Sequence, residues 1–373
     1  MATAQGVTIA DSRAIAKKKE DVGQISQWTL MRRRFMENKL SVTGGVVLIA
    51  MYLMAAIAPF MSPYPYDALD SNNQFATPTS IHWVGLQPTV CGVTQTLNKD
   101  TFTWIYTTDC TKTSPIKFFT HGYSYTLLGV IPSDVHLFGV DPPAKFYLFG
   151  ADGQGRDMLA RVLEGSRISL SVGLIGVALA IILGSLLGTA SGYLGGAADN
   201  LIQRFIELIM SMPTIPLWAA FAAALPQDMS VVKRYFFITL ILSLVQWTGL
   251  ARQVRGKVMA YRALDYTLAA RLAGASDMRI ILTHMLPNAV SHIIVVAALA
   301  VPATILGETA LSFLGLGMLP PAVSWGVLLR DAQQVQVMEQ HTWLLIPALA
   351  VIIAVTCYQF LGDGLRDAAD PYS

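Results

Sequence analysis

The chain has 373 residues, of which 53% are hydrophobic and only 13% are charged, and its mean hydropathy is +0.49. Soluble domains carry roughly 25% charged residues, so this composition excludes an ordinary soluble globular protein and predicts an all-α polytopic membrane protein. The formal net charge of +2 is too small to indicate binding to nucleic acid.

The N-terminal stretch, residues 1–39, is polar and carries two basic runs, Lys17–Lys19 and Arg32–Arg34. We expect a cytoplasmic tail followed by a short helix over residues 27–39 that lies on the membrane surface. A charged flank that keeps the first span from sliding fits the same residues equally well. Both basic runs lie too far before the first apolar run for a cleavable signal peptide, which we therefore do not expect.

The first transmembrane helix is predicted over residues 40–60, because about 20 apolar residues match the thickness of the hydrocarbon core. Residues 61–165 then form a long loop with a small folded insertion. Two hydrophobic stretches in this loop, SYTLLGVIP and KFYLFG, are too short to span a membrane and predict strands or turns.

A core of five further spans is predicted over residues 166–363, followed by a C-terminal tail over residues 364–373. The spans are placed near residues 167–191, 199–224, 234–255, 289–312 and 343–362. Glycines recur every four residues at Gly184, Gly188 and Gly192, which predicts a flat stripe for close helix packing. Prolines in the third and sixth spans predict kinks: Pro213, Pro216 and Pro347.

Six spans place both termini on one side of the membrane. Basic residues cluster before the first span and between the fourth and fifth spans, so the positive-inside rule assigns that side to the cytoplasm. The 61–165 loop is then in an oxidising compartment, where Cys91 and Cys110 can form a disulfide. The bridge closes a loop of about 20 residues and contributes roughly 3 kcal/mol in the chain-entropy description. Two free thiols that never approach each other are the alternative.

The sequence contains no CxxC, HExxH or GxxxxGK[ST] motif, and the nearest stretch to the last, GLARQVRGKV, has the wrong glycine spacing. We therefore expect no metal, no cofactor and no ATP hydrolysis in this chain. An alternative class is a membrane-anchored extracytoplasmic enzyme that uses His82, His121 and Asp134, although their spacing matches no known site.

The segment between the fourth and fifth spans, residues 257–288, carries several charges and is predicted to be a cytoplasmic loop. Its pattern from Tyr261 to Leu286 predicts a helix that does not cross the membrane. Gly274 and the alanines before it form a face with almost no side chain, which suits a groove on another protein. An amphipathic connector on the lipid headgroups explains the residues equally well.

This segment, TLAARLAGASDMRIILTHMLPN, resembles the EAA loop of permease subunits of binding-protein-dependent ABC importers, with the pattern E-A-A-x3-G-x9-I-x-L-P. Five residues match that pattern at the required spacing: Ala269, Ala270, Gly274, Leu286 and Pro287. Leu268 and His284 depart from it in the way that is typical of the oligopeptide, dipeptide and nickel branch. RRRFMENKLSVTGG, FGADGQGRD, GETALSFLGLG and LGDGLRDAADP resemble further segments of that branch, whereas residues 86–147 are an insertion.

The resemblance implies the six-helix type I permease fold of ABC importers. It implies assembly with a second homologous permease, with two ATPase subunits that carry the ATP and Mg, and with an extracytoplasmic substrate-binding protein. The implied function is import of short peptides across the bacterial inner membrane. Nickel complexes, oligosaccharides and opine-like solutes are alternatives. An independent secondary transporter would need paired midplane charges or an inverted repeat, and the sequence shows neither.

The resemblance also implies which residues carry the function. The expected ATPase-coupling residues are Ala269, Ala270, Gly274, Ala275, Leu286 and Pro287. Glu308 is an intramembrane carboxylate, so we expect it to line the pathway or pair with a partner helix, unless it reaches water at the outer interface. Trp325 is expected near the cavity mouth, in contact with the binding protein.

Overall fold

The computed structural model describes residues 27–97 and 104–369, so most of the predicted N-terminal tail lies outside the described residues. By length and composition, five of its helices can cross a membrane, and one pair of bent helices brings the number to six. The predicted polytopic helical fold with a small insertion after the first span is confirmed. The insertion is built from strands, so the protein is mostly helical rather than all-α.

The N-terminal helices are separated by a single capping residue. They are α1 (Gln27–Glu37), α2 (Lys39–Ala56) and the short α3 (Ala58–Met61). Asn38 adopts an extended conformation, and its side chain accepts a hydrogen bond from the backbone N–H of Ser41 at 3.2 Å. This N-cap ends the short first helix and starts the first span, which is predicted from residue 40.

The insertion, which is predicted to be extracytoplasmic, is built from two antiparallel units. Strands β1 (Ile81–Val84), β2 (Gln87–Leu97) and β3 (Trp104–Pro115) form one sheet, and β4 (Lys117–Leu127) pairs with β5 (Ile131–Gly139). Cys91 on β2 and Cys110 on β3 form a disulfide at the point where the β2–β3 register shifts. The predicted bridge is therefore confirmed. SYTLLGVIP forms the β4–β5 turn, and KFYLFG forms turns and loop.

Helix α4 (Met158–Leu194) is 37 residues long and begins before the predicted core boundary at residue 166, because Asp157 caps its first turn. Its glycine stripe packs against α7 (Val231–Arg262). A Cβ added at Gly188 would lie 2.5 Å from the carbonyl oxygen of Ala251, and Gly184 and Gly192 are similarly tight. The predicted packing role of the stripe is confirmed.

The predicted third span is broken rather than kinked. Helices α5 (Gly196–Met210) and α6 (Thr214–Ala223) meet at 84°. Pro213 sits between them in an extended conformation and is the N-cap of α6. Proline lacks the N–H that would continue the helix and pushes the preceding residue out of helical geometry, so the chain turns sharply there.

The remaining helices complete the bundle. They are α8 (Asp265–Leu272), α9 (Asp277–Ile280), α10 (Leu286–Phe313), α11 (Trp325–Asp331), α12 (Val335–Gln340) and α13 (Ile346–Ala369). A π turn, Ile281–Met285, joins α9 to α10. Helix α13 packs along α2 and α10, and the hydroxyls of Tyr52 and Tyr358 lie 2.7 Å apart in this contact. The described ends of the chain, α1 and the end of α13, lie together on one side of the bundle.

Candidate coupling site

The coupling segment, residues 263–287, links α7 to α10 and exposes apolar side chains at the predicted cytoplasmic end. Leu272 is 90% exposed and Met278 is 64% exposed, and Leu268 and Leu282 are exposed as well. Of the predicted coupling residues, Ala269, Gly274 and Pro287 are exposed, whereas Ala270, Ala275 and Leu286 are half-buried against the bundle. The segment therefore has one side attached to the spans and another side free.

Gly274 ends a helix rather than lying on a helical face. Its φ is +79°, and the N–H of Gly274 donates to the carbonyl of Arg271 at 2.9 Å. The N–H of Ala275 donates to the carbonyl of Ala270 at 3.1 Å, which completes a Schellman motif. The continuous helix predicted from Tyr261 to Leu286 is therefore wrong, because the left-handed glycine stops α8 after Leu272.

Pro287 continues a helix rather than turning the chain. It lies in the first turn of α10, and the helix runs through the π turn into it, so that Asp277–Phe313 is one rod. Pro287 cannot donate to the carbonyl four residues earlier, that of Thr283. Since Thr283 lies in the π turn, the wider turn accommodates the missing hydrogen bond.

Two polar contacts tie both arms of the coupling segment to the inner end of α4. The hydroxyl of Tyr193 donates to Asp277 at 2.8 Å, and the Nε of Arg271 donates to the same hydroxyl at 3.1 Å. The Arg271 guanidinium also lies 5.0 Å from the centre of the Tyr193 ring. Tyr193 is fully buried, so one side chain joins α8, α9 and α4.

An apolar cluster and an ion pair complete the attachment. Ile280, Ile281 and Met285 pack on Val254 and Val258 of α7. Nearby, Arg255 of α7 makes a two-pronged ion pair with Asp199 of α5, with both distances 2.6 Å. The segment is therefore attached to α4, α7 and α10, and the ion pair joins α7 to α5.

Sequence reasoning did not identify Tyr193, Asp199 or Arg255 as functional. All three lie at the inner ends of long apolar helices, where a hydropathy pattern treats them as flanking residues. The signal that could have found them is their position: a carboxylate and a guanidinium at matching inner ends of two spans are candidates for an ion pair.

Glu308 and Trp325, predicted for the pathway or gate, are both completely buried in the chain. Ser169 of α4 and Ser312 of α10 donate to the Glu308 carboxylate at 3.0 and 2.7 Å. The backbone N–H of Trp325 donates to the Ser169 hydroxyl at 3.1 Å, and its indole N–H donates to the carbonyl of Val162. In this chain Trp325 is therefore not open to a binding protein, and Glu308 is open neither to a pathway nor to water. Of the alternatives for Glu308, pairing with another helix fits these contacts, which fasten α11 to α4 and α10.

The ADGQGRD turn before α4 is centred on a buried carboxylate. Asp152 accepts hydrogen bonds from Arg156 and from the backbone N–H groups of Gln154 and Arg156. It also pairs with Arg161, and the side chains of both partners are 2% exposed. This turn therefore positions the start of the second span.

The residues considered for an extracytoplasmic enzyme do not form one site. His121 lies 2.9 Å from Asp134, and both are well exposed on the β4–β5 hairpin. His82 lies elsewhere, next to Cys91 and Cys110. Those two sulfurs are bonded to each other, which leaves His82 as the one free metal donor of that group.

Comparison with known proteins identifies the family. A model described as "Binding-protein-dependent transport system inner membrane component" matches residues 157–372, more than half of the chain. The chain belongs to this family. A model of the N-terminal TM domain of oligopeptide transport permease C matches residues 26–78. The predicted family is confirmed, and the protein is a multi-pass inner-membrane permease component rather than an enzyme.

Similar curated proteins extend over nearly the whole chain. The oligopeptide transport system permease protein OppC of Haemophilus influenzae is 32% identical over 93% of this chain and 89% of its own. OppC of Bacillus subtilis is 28% identical over 97% of this chain and 93% of its own. The dipeptide transport system permease protein DppC of Bacillus subtilis is 29% identical over 91% of this chain and 84% of its own. A structure of the methionine ABC transporter MetNI in inward-facing conformations matches with a TM-score of 0.42 at 16% identity, over 57% of this chain and 97% of that one.

Proposed function

We propose that this chain forms, with a second homologous permease, the pathway of an importer for short peptides. A binding protein delivers the peptide from outside, and two ATPase subunits drive transport from the cytoplasm. The observation that carries the proposal is the coupling segment: an apolar surface that is exposed at the predicted cytoplasmic end and attached to α4, α7 and α10. The similar oligopeptide and dipeptide permeases support peptides as the substrate.

The exposed side of the coupling segment suits a protein groove better than a lipid surface. Leu272 and Met278 lie on either side of the Gly274 break, and both project from the bundle. Ala269 and Gly274 between them have small or no side chains, so a partner backbone can approach closely. Leucine at 90% exposure is costly in water, since burying such a side chain stabilises by about 1.5–3 kcal/mol. An ATPase subunit that covers this surface gains that free energy on docking.

A displacement of the coupling segment is transmitted to the spans because the segment is attached to them at several independent points. The Tyr193 contacts hold α4, the apolar cluster holds α7, and the π turn continues directly into α10. ATP binding closes the ATPase pair and displaces each coupling segment, and the spans follow as rigid bodies. This chain provides the pathway and the difference in stability between inward- and outward-facing states, and the chemistry takes place on its partners.

Leu272→Asp tests the docking surface. In the complete transporter, purified in detergent through a tag on this chain, we expect ATPase retention and peptide uptake to fall at least about tenfold, because a buried charge costs well over 1.4 kcal/mol. Leu86→Asp is the matched control, since Leu86 is 95% exposed on the extracytoplasmic β1–β2 turn. It should leave retention unchanged. Full ATPase retention and uptake with Leu272→Asp would contradict the proposal.

A further inference from the structure

A cavity lies among three of the helices that are long enough to span a membrane, and neither Glu308 nor Trp325 lines it. Its volume is about 310 Å³, and it lies between α4, α7 and α10. Nearly all of its lining is small or aliphatic, with alanines at 297, 300 and 303 on the α10 side. The polar exceptions are two amides of α7, Gln246 and Gln253, and no charged residue takes part.

Gln246 has unused hydrogen-bonding capacity. The Thr304 hydroxyl of α10 donates to Oε1 of Gln246 at 2.9 Å, which fixes the position of the amide. Its Nε2 is buried and has no hydrogen-bond partner. Flipping the Gln246 amide, so that its oxygen and nitrogen exchange places, still leaves one of the two atoms without a partner, because among the described residues Thr304 is the one group that hydrogen-bonds to the amide. A buried polar group without a partner is costly in an apolar environment, so it requires an explanation.

One face of α7 continues from this amide toward the cytoplasm. Gln253 follows Gln246 by seven residues, two helical turns or about 10 Å further along the same face. Gly249 and Gly256 lie on that face, and a Cβ added at either would meet no atom within 4 Å. By contrast, Leu240 and Leu244 are exposed in the same helix, as expected for contact with lipid.

We propose that this face of α7, together with Ala300 and Ala303 of α10, is this chain's share of the translocation pathway, and that it binds main-chain amides of the peptide in transit. We name it the amide groove. An amide donates and accepts the same hydrogen bonds as a peptide unit, so Gln246 and Gln253 can exchange contacts with successive residues. The inference rests on the proposed function and specifies its substrate contact.

The lining also sets the selectivity that the groove can have. Glycine and alanine leave room for side chains of different size, and no charged group selects for peptide charge or termini. The groove therefore recognises the backbone common to all peptides, and discrimination between sequences takes place elsewhere. Gln253 is exposed, and its amide would be unfavourable in contact with hydrocarbon. We therefore assign this face to the pathway rather than to lipid.

Gln246→Leu tests the amide. In the complete transporter we expect uptake of acidic, neutral and basic peptides to fall about tenfold alike, since one hydrogen bond to the substrate is lost. ATPase retention should be unchanged. Gln246→Glu should instead separate the peptides by charge, with basic peptides transported several-fold better than acidic ones. Wild-type uptake by Gln246→Leu, in a transporter that does import peptides, would overturn the groove and leave the proposed function standing.

Thiol labelling tests whether the face is open in the assembly. Cys357 is the buried free cysteine, so Cys357→Ala provides the background, with Cys91 and Cys110 bridged. Gly249→Cys and Gln253→Cys should react with a hydrophilic methanethiosulfonate, and saturating peptide should slow both reactions. Leu244→Cys, on the lipid-facing side, should not react. If Gly249→Cys and Gln253→Cys are unreactive in every state, the face packs against a helix of the second permease and the inference is overturned.

Discussion

The predicted outer and inner ends of this bundle differ in which side chains they bury and which they expose. At the outer end, polar groups are buried and paired within the chain: Asp152 with Arg161, and Glu308 with Ser169 and Ser312. At the inner end, Leu272 and Met278 stand exposed on a segment that is otherwise firmly attached. The buried polar groups at the outer end thus find their partners within this chain. At the inner end, the coupling segment is firmly attached but exposes apolar side chains that no part of this chain covers in the described residues. That difference indicates where a partner subunit contributes to stability and where it does not.

The largest expected effect comes from breaking the outer end. Arg161→Ala removes one partner of a fully buried ion pair and leaves Asp152 with Arg156 alone. We expect a loss of about 3 kcal/mol in unfolding free energy, measured by denaturant unfolding of the detergent-solubilised chain. The control is Arg204→Ala, whose partner Glu207 lies 2.7 Å away but whose pair is well exposed. It should change stability by less than about 0.5 kcal/mol. Equal effects of the two variants would refute the contrast.

The pH dependence of the outer end is the next effect. Burial raises the pKa of the Asp157 carboxyl to about 7, although the backbone N–H of Ala160 donates to it. Its stabilising contribution is full below the pKa of the unfolded chain, 3.8, and is lost as the pH rises through the folded value. We expect the unfolding free energy to fall steadily between about pH 4 and about pH 7 and to level off above that.

Asp157→Asn should flatten that profile, because asparagine also caps a helix but does not titrate. Thermal unfolding at a series of pH values measures the difference between the two proteins. A wild-type profile that rises toward pH 8, or an equally steep profile in the variant, would exclude Asp157 as its source.

The smallest expected effect concerns ATPase binding at the inner end. Gly274→Ala places a Cβ on a residue with φ +79°, which costs about 1–2 kcal/mol and frays the end of α8. We expect ATPase subunits to bind several-fold more weakly. Gly274→Asn is the matched variant, since asparagine tolerates left-handed geometry and should bind nearly as well as wild type. If both variants weaken binding equally, the side chain itself obstructs docking and the backbone is not the cause.

Local patterns predict much of this molecule because their causes are local. The spans follow from apolar runs, the Gly184–Gly192 stripe from its spacing, and the Cys91–Cys110 bridge from the side of the membrane on which the loop lies. Pro213 marks a break, but the 84° angle depends on packing against α7 and α10. A periodic pattern cannot distinguish a glycine on a helical face from one that ends a helix, which is why Gly274 was misplaced.

The environment of Glu308 lay beyond such patterns. Ser169, one of its donors, is 139 positions away in the chain, and Trp325 reaches the same serine from a third element. A carboxylate in an apolar run indicates function when only its own helix is considered. In this chain, contacts with distant residues bury Glu308 and give it hydrogen-bond partners within the bundle. The same limit applies to Gln246, whose significance depends on a cavity formed by three separated helices.

The continuous rod from Asp277 to Phe313 has a geometric consequence. Its 37 residues measure about 55 Å, and its midpoint lies near the buried Val295. If that buried contact serves as a fulcrum, a tilt of about 5° carries the two tips about 2–3 Å in opposite directions. A small displacement of the Asp277 end would then move the Phe313 end in the opposite direction, and the Ser169–Glu308 hydrogen bond joins α4 to that end.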